Sequence, residues 1–399
     1  MPMKSDRASQ NEMRNVNTPG ILLAILYISV IGPAVFIVQP GFVHGLIAGY
    51  HFNDQEAGYI ASAEMWGIAV TTLVMGFVLH RFNWRTMMAL AALVIAAANF
   101  LNGTIAPIQH SLPLSLIVRG LAGLGSGVFV SLSFTLIGLT SKPQRNFGLL
   151  VIAVLCFGAF GLFVMPSALS LIGMNGVVIF FGLLSLSALP LLRLLPTSAD
   201  EVIDIDPDAV EVPRIYAALM VAVMAVFFIG QTSVWAYLYL IGLNGGVSEQ
   251  GVANGLSASS FSGIFGAMFA TLIGLRFGRI APTAVAVAGS IISLAFLFGQ
   301  FSSLVFTLAA GAYCLFWNFM HPLLLSFLSK IDKTGGILAH GIAAQMLGTA
   351  AGPALAALIV THNDYSRVLW LGICLYALTL VMVLPLLLHL HHNGSRRLH

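Results

Sequence analysis

Two charged residues, Glu64 and Arg119, lie inside long apolar stretches of the chain. Arg119 stands within the run LPLSLIVRGLAGLGSGVFVSLS, which is long enough to cross a bilayer. A charge at such depth is costly, so it must face a partner or a water-filled cavity. Burial disfavours a carboxylate and a nearby guanidinium favours it, so forming and breaking a pair can load and release a proton. These residue types therefore predict a proton-coupling charge pair.

The positions of the two residues indicate that they can meet. Each lies seven residues after the predicted start of its membrane span, and both spans begin on the same side of the membrane. With a rise of about 1.5 Å per residue, both charges lie about 10 Å deep. The alternatives are a static ion pair that braces its helices, or an Arg119 that only bonds to neighbouring carbonyl groups.

Small residues share a helix face with Arg119. Gly123 and Gly127 follow it at intervals of four residues, which places all three on one side of a helix. Glycine allows a neighbouring helix to approach closely in a membrane. We therefore expect a helix to pack tightly against this face.

The composition identifies an integral membrane protein. Of 399 residues, 58% are hydrophobic and only 8% are charged, against about a quarter charged in soluble domains. Cys156, Cys314 and Cys374 lie singly in apolar stretches, without the spacing of a disulfide or a zinc site. We therefore expect a lipid bilayer and a small solute as partners, with no cofactor, metal or nucleic acid.

The apolar segments predict an all-α membrane protein of twelve spans, each long enough for a membrane helix. The predicted spans are 21–48, 57–79, 86–106, 112–139, 147–172, 175–195, 214–243, 251–275, 281–301, 303–328, 336–361 and 366–388.

Basic residues predict the orientation of the chain. Of the 17 Lys and Arg residues, all but Arg119 and Arg367 fall in tails and connections on one side. The excess of positive charge marks the cytoplasmic side, and an even number of spans puts both termini there. We expect a multi-pass protein of the cell inner (plasma) membrane that functions as a monomer.

The chain divides into two similar halves. We predict a cytoplasmic tail at 1–19, six-helix bundles at 20–195 and 214–390, an acidic linker at 196–213 and a second cytoplasmic tail at 391–399. Asp54-Gln55 near the second span has a counterpart in Glu249-Gln250 near the eighth. A six-helix unit repeated in parallel is typical of a rocking transporter.

The loop after the second span carries a family motif. Gly76, Arg81 and Arg85 match the pattern Gly, three residues, Asp, Arg and further basic residues of the major facilitator superfamily, although His80 replaces the Asp. Arg119, Gly123 and Gly125 resemble the family's fourth-helix motif. In this respect the chain resembles that superfamily over nearly its whole length.

The resemblance implies a fold and several roles. The fold is twelve transmembrane helices in two six-helix bundles related by pseudo-twofold symmetry. Gly76, His80, Arg81 and Arg85 would form a gating loop, and Arg119 would take part in proton coupling, as it does in proton-coupled relatives.

The resemblance also implies a solute cavity lined mainly by spans one, four, seven and ten. Together with Arg119, the candidate contacts are Gln39, Gln231, Trp235, Trp317, Asn318 and His321. Gln39 follows VFIV and Gln231 follows VFFIG, so the two amides form a symmetry-related pair. For each polar residue alone, a bond between helices is as good an interpretation as ligand contact.

These features predict a secondary active transporter that works by alternating access. Arg119 and the aromatic residues favour a small organic solute, in particular an organic or aromatic acid taken up with protons. The alternative is proton-coupled efflux of drugs or amphiphilic metabolites. A membrane-embedded enzyme would need converging His, Cys or carboxylate groups, and a passive channel fits repeated halves less well.

Overall fold

The computed structural model describes residues 17–79, 81–197, 213–273, 278–332, 336–361 and 364–395. His80, residues 1–16 of the N-terminal tail, residues 198–212 of the acidic linker and residues 396–399 of the C-terminal tail lie outside these ranges.

The described residues form helices joined by short connections, with no strand among them. In chain order the helices are α1 (Pro19–Ile31), α2 (Ala34–Ile37), α3 (Gln39–Tyr50), α4 (Asp54–Val78), α5 (Trp84–Thr104), α6 (Ala106–Gln109), α7 (Leu112–Gly138), α8 (Pro143–Leu186), α9 (Arg214–Asn244), α10 (Glu249–Ile273), α11 (Ile280–Ala295), α12 (Ser303–Lys330), α13 (Gly336–Ile359) and α14 (Ser366–Ser395). A 3-10 turn at Leu191–Leu194 follows α8.

The predicted all-α membrane architecture is confirmed. Each predicted span contains a helix, and in the described part of the chain eight helical segments are long and apolar enough to cross a membrane. Apolar side chains such as Phe77 and Leu171 are about 80% exposed, which suits a surface covered by lipid.

One detail of the spans differs from the prediction. The first span is divided into α1, α2 and α3, because Pro33 and Pro40 cannot donate the backbone hydrogen bonds that a continuous helix needs. The predicted boundary between the fifth and sixth spans is confirmed, since the helical run α8 is broken at Gly173. Gly173 has φ 63° and ψ 177°, a conformation that is readily open only to glycine.

The described residues fall into two compact units. Unit 1 contains residues up to Ile37, Ala63–Phe157 and the chain from Ala168 to the linker. Unit 2 contains Val38–Ser62, Gly158–Ser167 and the chain after the linker. One end of α4 and part of α8 thus belong to the same unit as the second half of the chain.

Unit 1 has a core formed by α1, α5 and α7. Ile25, Met88, Phe129 and Leu132 are fully buried there. Gly32, between α1 and α2, lies so near α7 that a Cβ atom would stand 2.7 Å from Cβ of Phe129.

Unit 2 holds the start of α4 against the second half of the chain through hydrogen bonds. Tyr237 donates to the backbone oxygen of Asp54 over 2.8 Å, and Tyr365 donates to its carboxylate over 3.1 Å. Ser62 donates to the carbonyl of Ala350 over 2.6 Å. These bonds satisfy polar groups that would otherwise be costly to bury.

Candidate functional site

Helices α4 and α7 touch through their backbones because glycine lines their contact. A Cβ atom on Gly123 would collide with the carbonyl oxygen of Glu64, and one on Gly127 would stand 2.8 Å from the carbonyl oxygen of Ile68. On the opposite helix, a Cβ atom on Gly67 would stand 2.7 Å from the backbone nitrogen of Leu124. The expected tight packing on the Gly123 and Gly127 face is therefore present.

This close approach brings Glu64 and Arg119 together. The Arg119 guanidinium donates through Nε over 3.2 Å, and also through Nη2, to the same oxygen of Glu64, Oε2. Arg119 is 0% exposed and Glu64 is 3% exposed. The two charges neutralise each other where neither reaches solvent, which is the arrangement that makes a buried charge tolerable.

A third residue, Asn99 on α5, completes the cluster. Its Oδ1 accepts from Nη1 of Arg119 over 2.9 Å, and its Nδ2 donates to the carbonyl of Ile95 over 2.9 Å. Gly125 lets α5 come near, since a Cβ atom there would stand 2.8 Å from the carbonyl oxygen of Ala91. Sequence reasoning missed Asn99, although an amide within an apolar span was a signal that could have indicated it.

The cluster joins α4, α5 and α7 and is closed around the charge pair. Because Arg119 is fully buried, a solute could contact its guanidinium only after the bond to Glu64 is broken. Breaking a buried pair leaves an uncompensated charge, so another anion or a proton must take part.

A second group of candidate residues lies in unit 2, around Gln231 of α9. Tyr313 on α12 donates to the backbone oxygen of Gln231 over 2.6 Å and to its side-chain Oε1 over 3.0 Å. Nε2 of Gln231 is buried and has no hydrogen-bond partner among the described residues. The NH2 group of this amide therefore donates to no residue that the structure describes.

Two tryptophans lie near each other in the same unit. The rings of Trp235 on α9 and Trp317 on α12 are 6.0 Å apart between centroids and inclined by 52°. The indole N–H of Trp317 is buried and unbonded to any residue that the structure describes. Asn318, next in sequence, donates to the carbonyl of Cys314 over 2.9 Å, a bond within its own helix.

His321 bonds to a neighbouring helix. Its Nε2 lies 3.1 Å from Oε1 of Gln345 on α13, and the ring of Phe228 lies edge-on at 5.0 Å. This arrangement matches the interpretation of His321 as a hydrogen-bonded packing residue at least as well as that of a proton relay.

Gln39 begins α3 in unit 2 and is 1% exposed. Its Oε1 accepts no hydrogen bond within the described ranges. The structure thus places Gln39, Gln231, Trp235, Trp317, Asn318 and His321 in unit 2, and it places the charge pair in unit 1.

Hydrogen bonds hold the end of the predicted gating loop where it meets α5. Asn83 accepts from the backbone nitrogens of Arg85 and Thr86 and so caps the start of α5. Arg85 donates through Nε to the carbonyl of Leu195 over 2.6 Å. Arg81 is exposed, and a Cβ atom on Gly76 would meet no described atom within 4 Å. His80 lies outside the described residues, so its role in this loop stays a prediction.

A contact of His44 with Tyr239 and Glu249 in unit 2 was not recognised from the sequence. The ring of His44 on α3 stacks on Tyr239 of α9, with centroids 4.6 Å apart and the planes within 16°. Nε2 of His44 lies 3.8 Å from the Glu249 carboxylate at the start of α10. His44 is far from Tyr239 and Glu249 in sequence, so its spacing gave no signal.

Comparison with known proteins establishes the family. Residues 19–331 match the sequence profile of the Major Facilitator Superfamily, and the chain belongs to it. It is thus a multi-pass membrane transporter, as predicted. No curated protein sequence matches the chain.

Solved structures of transporters share the fold. A D-xylose-proton symporter is 16% identical, with a TM-score of 0.70 over 91% of this chain and 96% of that one. The xylose transporter XylE from E. coli is 15% identical, with a TM-score of 0.70 over 92% and 97% of the two chains. The POT family transporter PepTSo is 11% identical, with a TM-score of 0.71 over 93% and 98%. At these identities the likeness shows the fold alone.

Proposed function

We propose that this transporter is proton-coupled and that Glu64 and Arg119 are its coupling pair. The observation that carries the proposal is the buried ion pair between α4 and α7, in which one carboxylate oxygen receives both guanidinium donors. An ion pair in a bilayer is a functional site by default, because neither charge is retained there without cost.

The pair suggests how proton and solute are linked. A proton on Glu64 neutralises the carboxylate and leaves the Arg119 charge without its counter-charge. A carboxylate brought by the solute is the group that replaces it best, because guanidinium and carboxylate form charge-assisted bonds. Proton and organic anion would therefore bind together, so an inward proton gradient would drive uptake of an organic acid with a proton.

The residues of unit 2 favour an aromatic solute with hydrogen-bond acceptors. Gln231 and Trp317 each keep a buried N–H group without a described partner, and such groups gain most from an acceptor on a ligand. Trp235 and Trp317 offer aromatic faces that pack well against a ring. Gln39, Asn318 and His321 are further proposed contacts on the same unit.

Efflux of drugs or amphiphilic metabolites is the second candidate. A lipophilic cation would use Glu64 as its counter-charge, and the structure gives that place to Arg119. The occupied carboxylate therefore favours an anion over a cation. The direction of transport follows from the driving gradient and not from the site.

The proposal includes the membrane location, the orientation and the moving parts of the transporter. We place the protein in the cell inner membrane with both termini in the cytoplasm, because Lys and Arg concentrate on one side. Six-helix bundles at 20–195 and 214–390 would rock around the solute, with Gly76, His80, Arg81 and Arg85 as the gating loop. One chain would suffice for transport.

A ligand screen on the purified protein tests the substrate class. Unfolding temperature is measured at acidic and at neutral pH with benzoate and other aromatic acids, and with lipophilic cations such as tetraphenylphosphonium. The proposal expects stabilisation by acids, stronger at acidic pH because proton and anion bind together. Stabilisation by the cations and not by the acids would contradict the proposal and support efflux.

A further inference from the structure

Asn99 is a buried amide that the mechanism above does not use. It is 1% exposed and lies on α5, a different helix from the two that carry the ion pair. Its Nδ2 donates to the carbonyl of Ile95, which leaves Oδ1 to face Arg119. Since a side-chain amide has one donor end and one acceptor end, this pair of bonds fixes which atom Arg119 meets.

Asn99 and Glu64 contact different parts of the guanidinium group. Glu64 accepts from Nε and Nη2, which form one edge of the planar group, whereas Asn99 accepts from Nη1. The guanidinium is rigid and its donors have fixed directions. Fixing Nη1 therefore also fixes the edge that faces Glu64.

Two glycines on α7 allow this arrangement from two sides. Gly123 is packed against α4 at Glu64, and Gly125 is packed against α5 at Ile95, where a Cβ atom would stand 2.7 Å from Cγ1. A bulkier residue at either position would move one of the two helices away. Gly123 and Gly125 thus allow both Glu64 and Asn99 to approach Arg119.

We propose that Asn99 is a positioning residue of the charge pair, which holds Nη1 so that the Nε and Nη2 edge stays turned towards Glu64. The positioning role itself does not depend on the proposed function; only the expected effect of Asn99 on transport rests on it. A neutral acceptor suits this position, because a carboxylate would offer Arg119 a second counter-charge in competition with Glu64. An apolar residue would remove the bond and let the guanidinium turn.

The direct test is ¹⁵N NMR of the full chain with labelled arginine, without any solute. A guanidinium held on both sides rotates slowly, so its Nη1 and Nη2 signals stay separate, and Arg119→Lys assigns them by their loss. We expect Asn99→Leu to merge the two signals and Asn99→Asp, which restores an acceptor, to keep them apart. Asn102→Leu, which removes a fully buried amide from the same helix, should leave them separate.

Two results would overturn the positioning role. One is separate signals in Asn99→Leu, which would show that Glu64 alone holds the guanidinium. The other is merged signals in Asn102→Leu as well, which would show a general loss of packing. Unfolding temperatures of all variants identify any protein that fails to fold, and Asn99→Ser then serves as a milder replacement.

A transport assay separates this inference from the proposed function. Accumulation of labelled benzoate is driven by a pH gradient in proteoliposomes. Asn99→Leu should lower it about tenfold, as expected for the loss of one charge-assisted hydrogen bond. If Glu64→Gln leaves accumulation unchanged, the proposed function fails, and the NMR result still decides the role of Asn99. If Glu64→Gln abolishes accumulation and Asn99→Leu changes neither readout, only the inference on Asn99 fails.

Discussion

Arg119 directs two donors, Nε and Nη2, at the single oxygen Oε2 of Glu64. A proton that binds this oxygen therefore competes directly with the guanidinium for the same lone pairs. Protonation of Oε2 therefore requires separation of the pair, which is the property that the proposed coupling device needs.

Removing one member of the pair should cost far more stability than removing both. Glu64→Leu and Arg119→Leu each leave an uncompensated buried charge, and each should lower the free energy of unfolding by about 3–5 kcal/mol. The double variant should lie near the unsubstituted protein, because an apolar pair needs no counter-charge. Denaturant unfolding in detergent gives the three differences.

Additive losses would contradict this prediction. If the double variant lost as much stability as the two single variants together, the side chains would contribute independently. The ion pair would then not be an interaction that holds α4 and α7 together.

Gly123 should be intolerant of even a methyl group. A Cβ atom there collides with the Glu64 carbonyl oxygen, so Gly123→Ala should lower the free energy of unfolding by about 1–3 kcal/mol through overpacking. Gly138→Ala is the matched control on the same helix, since no described atom lies within 4 Å of its Cβ position. Thermal unfolding of both variants checks the difference, and equal stability would refute the proposed close contact.

The sequence predicted much of the unit 1 site, for physical reasons. Helical periodicity placed Gly123 and Gly127 beside Arg119, and the constant rise per residue placed Glu64 at the same depth. Asn99 could not be inferred in this way, because its bond to Arg119 depends on how α5 packs against α7. Amino-acid composition alone does not determine how α5 and α7 pack.

Other features depend on contacts between distant parts of the chain. His44 meets Tyr239 and Glu249 only through the packing of α3 on α9 and α10. The six candidate solute contacts in unit 2 were inferred from family resemblance. Their common location in unit 2 does not follow from their spacing in the sequence. Their role in binding stays a prediction.

Trp317 should contribute to solute binding through its indole N–H. Trp317→Phe keeps a ring beside Trp235 and removes only the donor, which has no partner among the described residues. Affinity for the aromatic acid that stabilises the protein most should fall about tenfold, which is about 1.4 kcal/mol. Isothermal titration measures this change.

The control for this substitution is Trp370→Phe. Trp370 is 58% exposed and its ring lies 5.4 Å from that of Phe298, so the variant should bind as the unsubstituted protein does. Unchanged affinity in Trp317→Phe would remove the indole donor from the site.

The central claim is that Glu64 couples proton movement to solute movement, and transport by Glu64→Gln tests it most directly. Glutamine keeps the shape of the side chain and cannot ionise. In proteoliposomes the unsubstituted protein should accumulate labelled benzoate above the level in protein-free liposomes when a pH gradient is imposed. Glu64→Gln should abolish this accumulation and retain exchange of benzoate across the membrane without a gradient. Accumulation by Glu64→Gln that follows the pH gradient as in the unsubstituted protein would contradict the account.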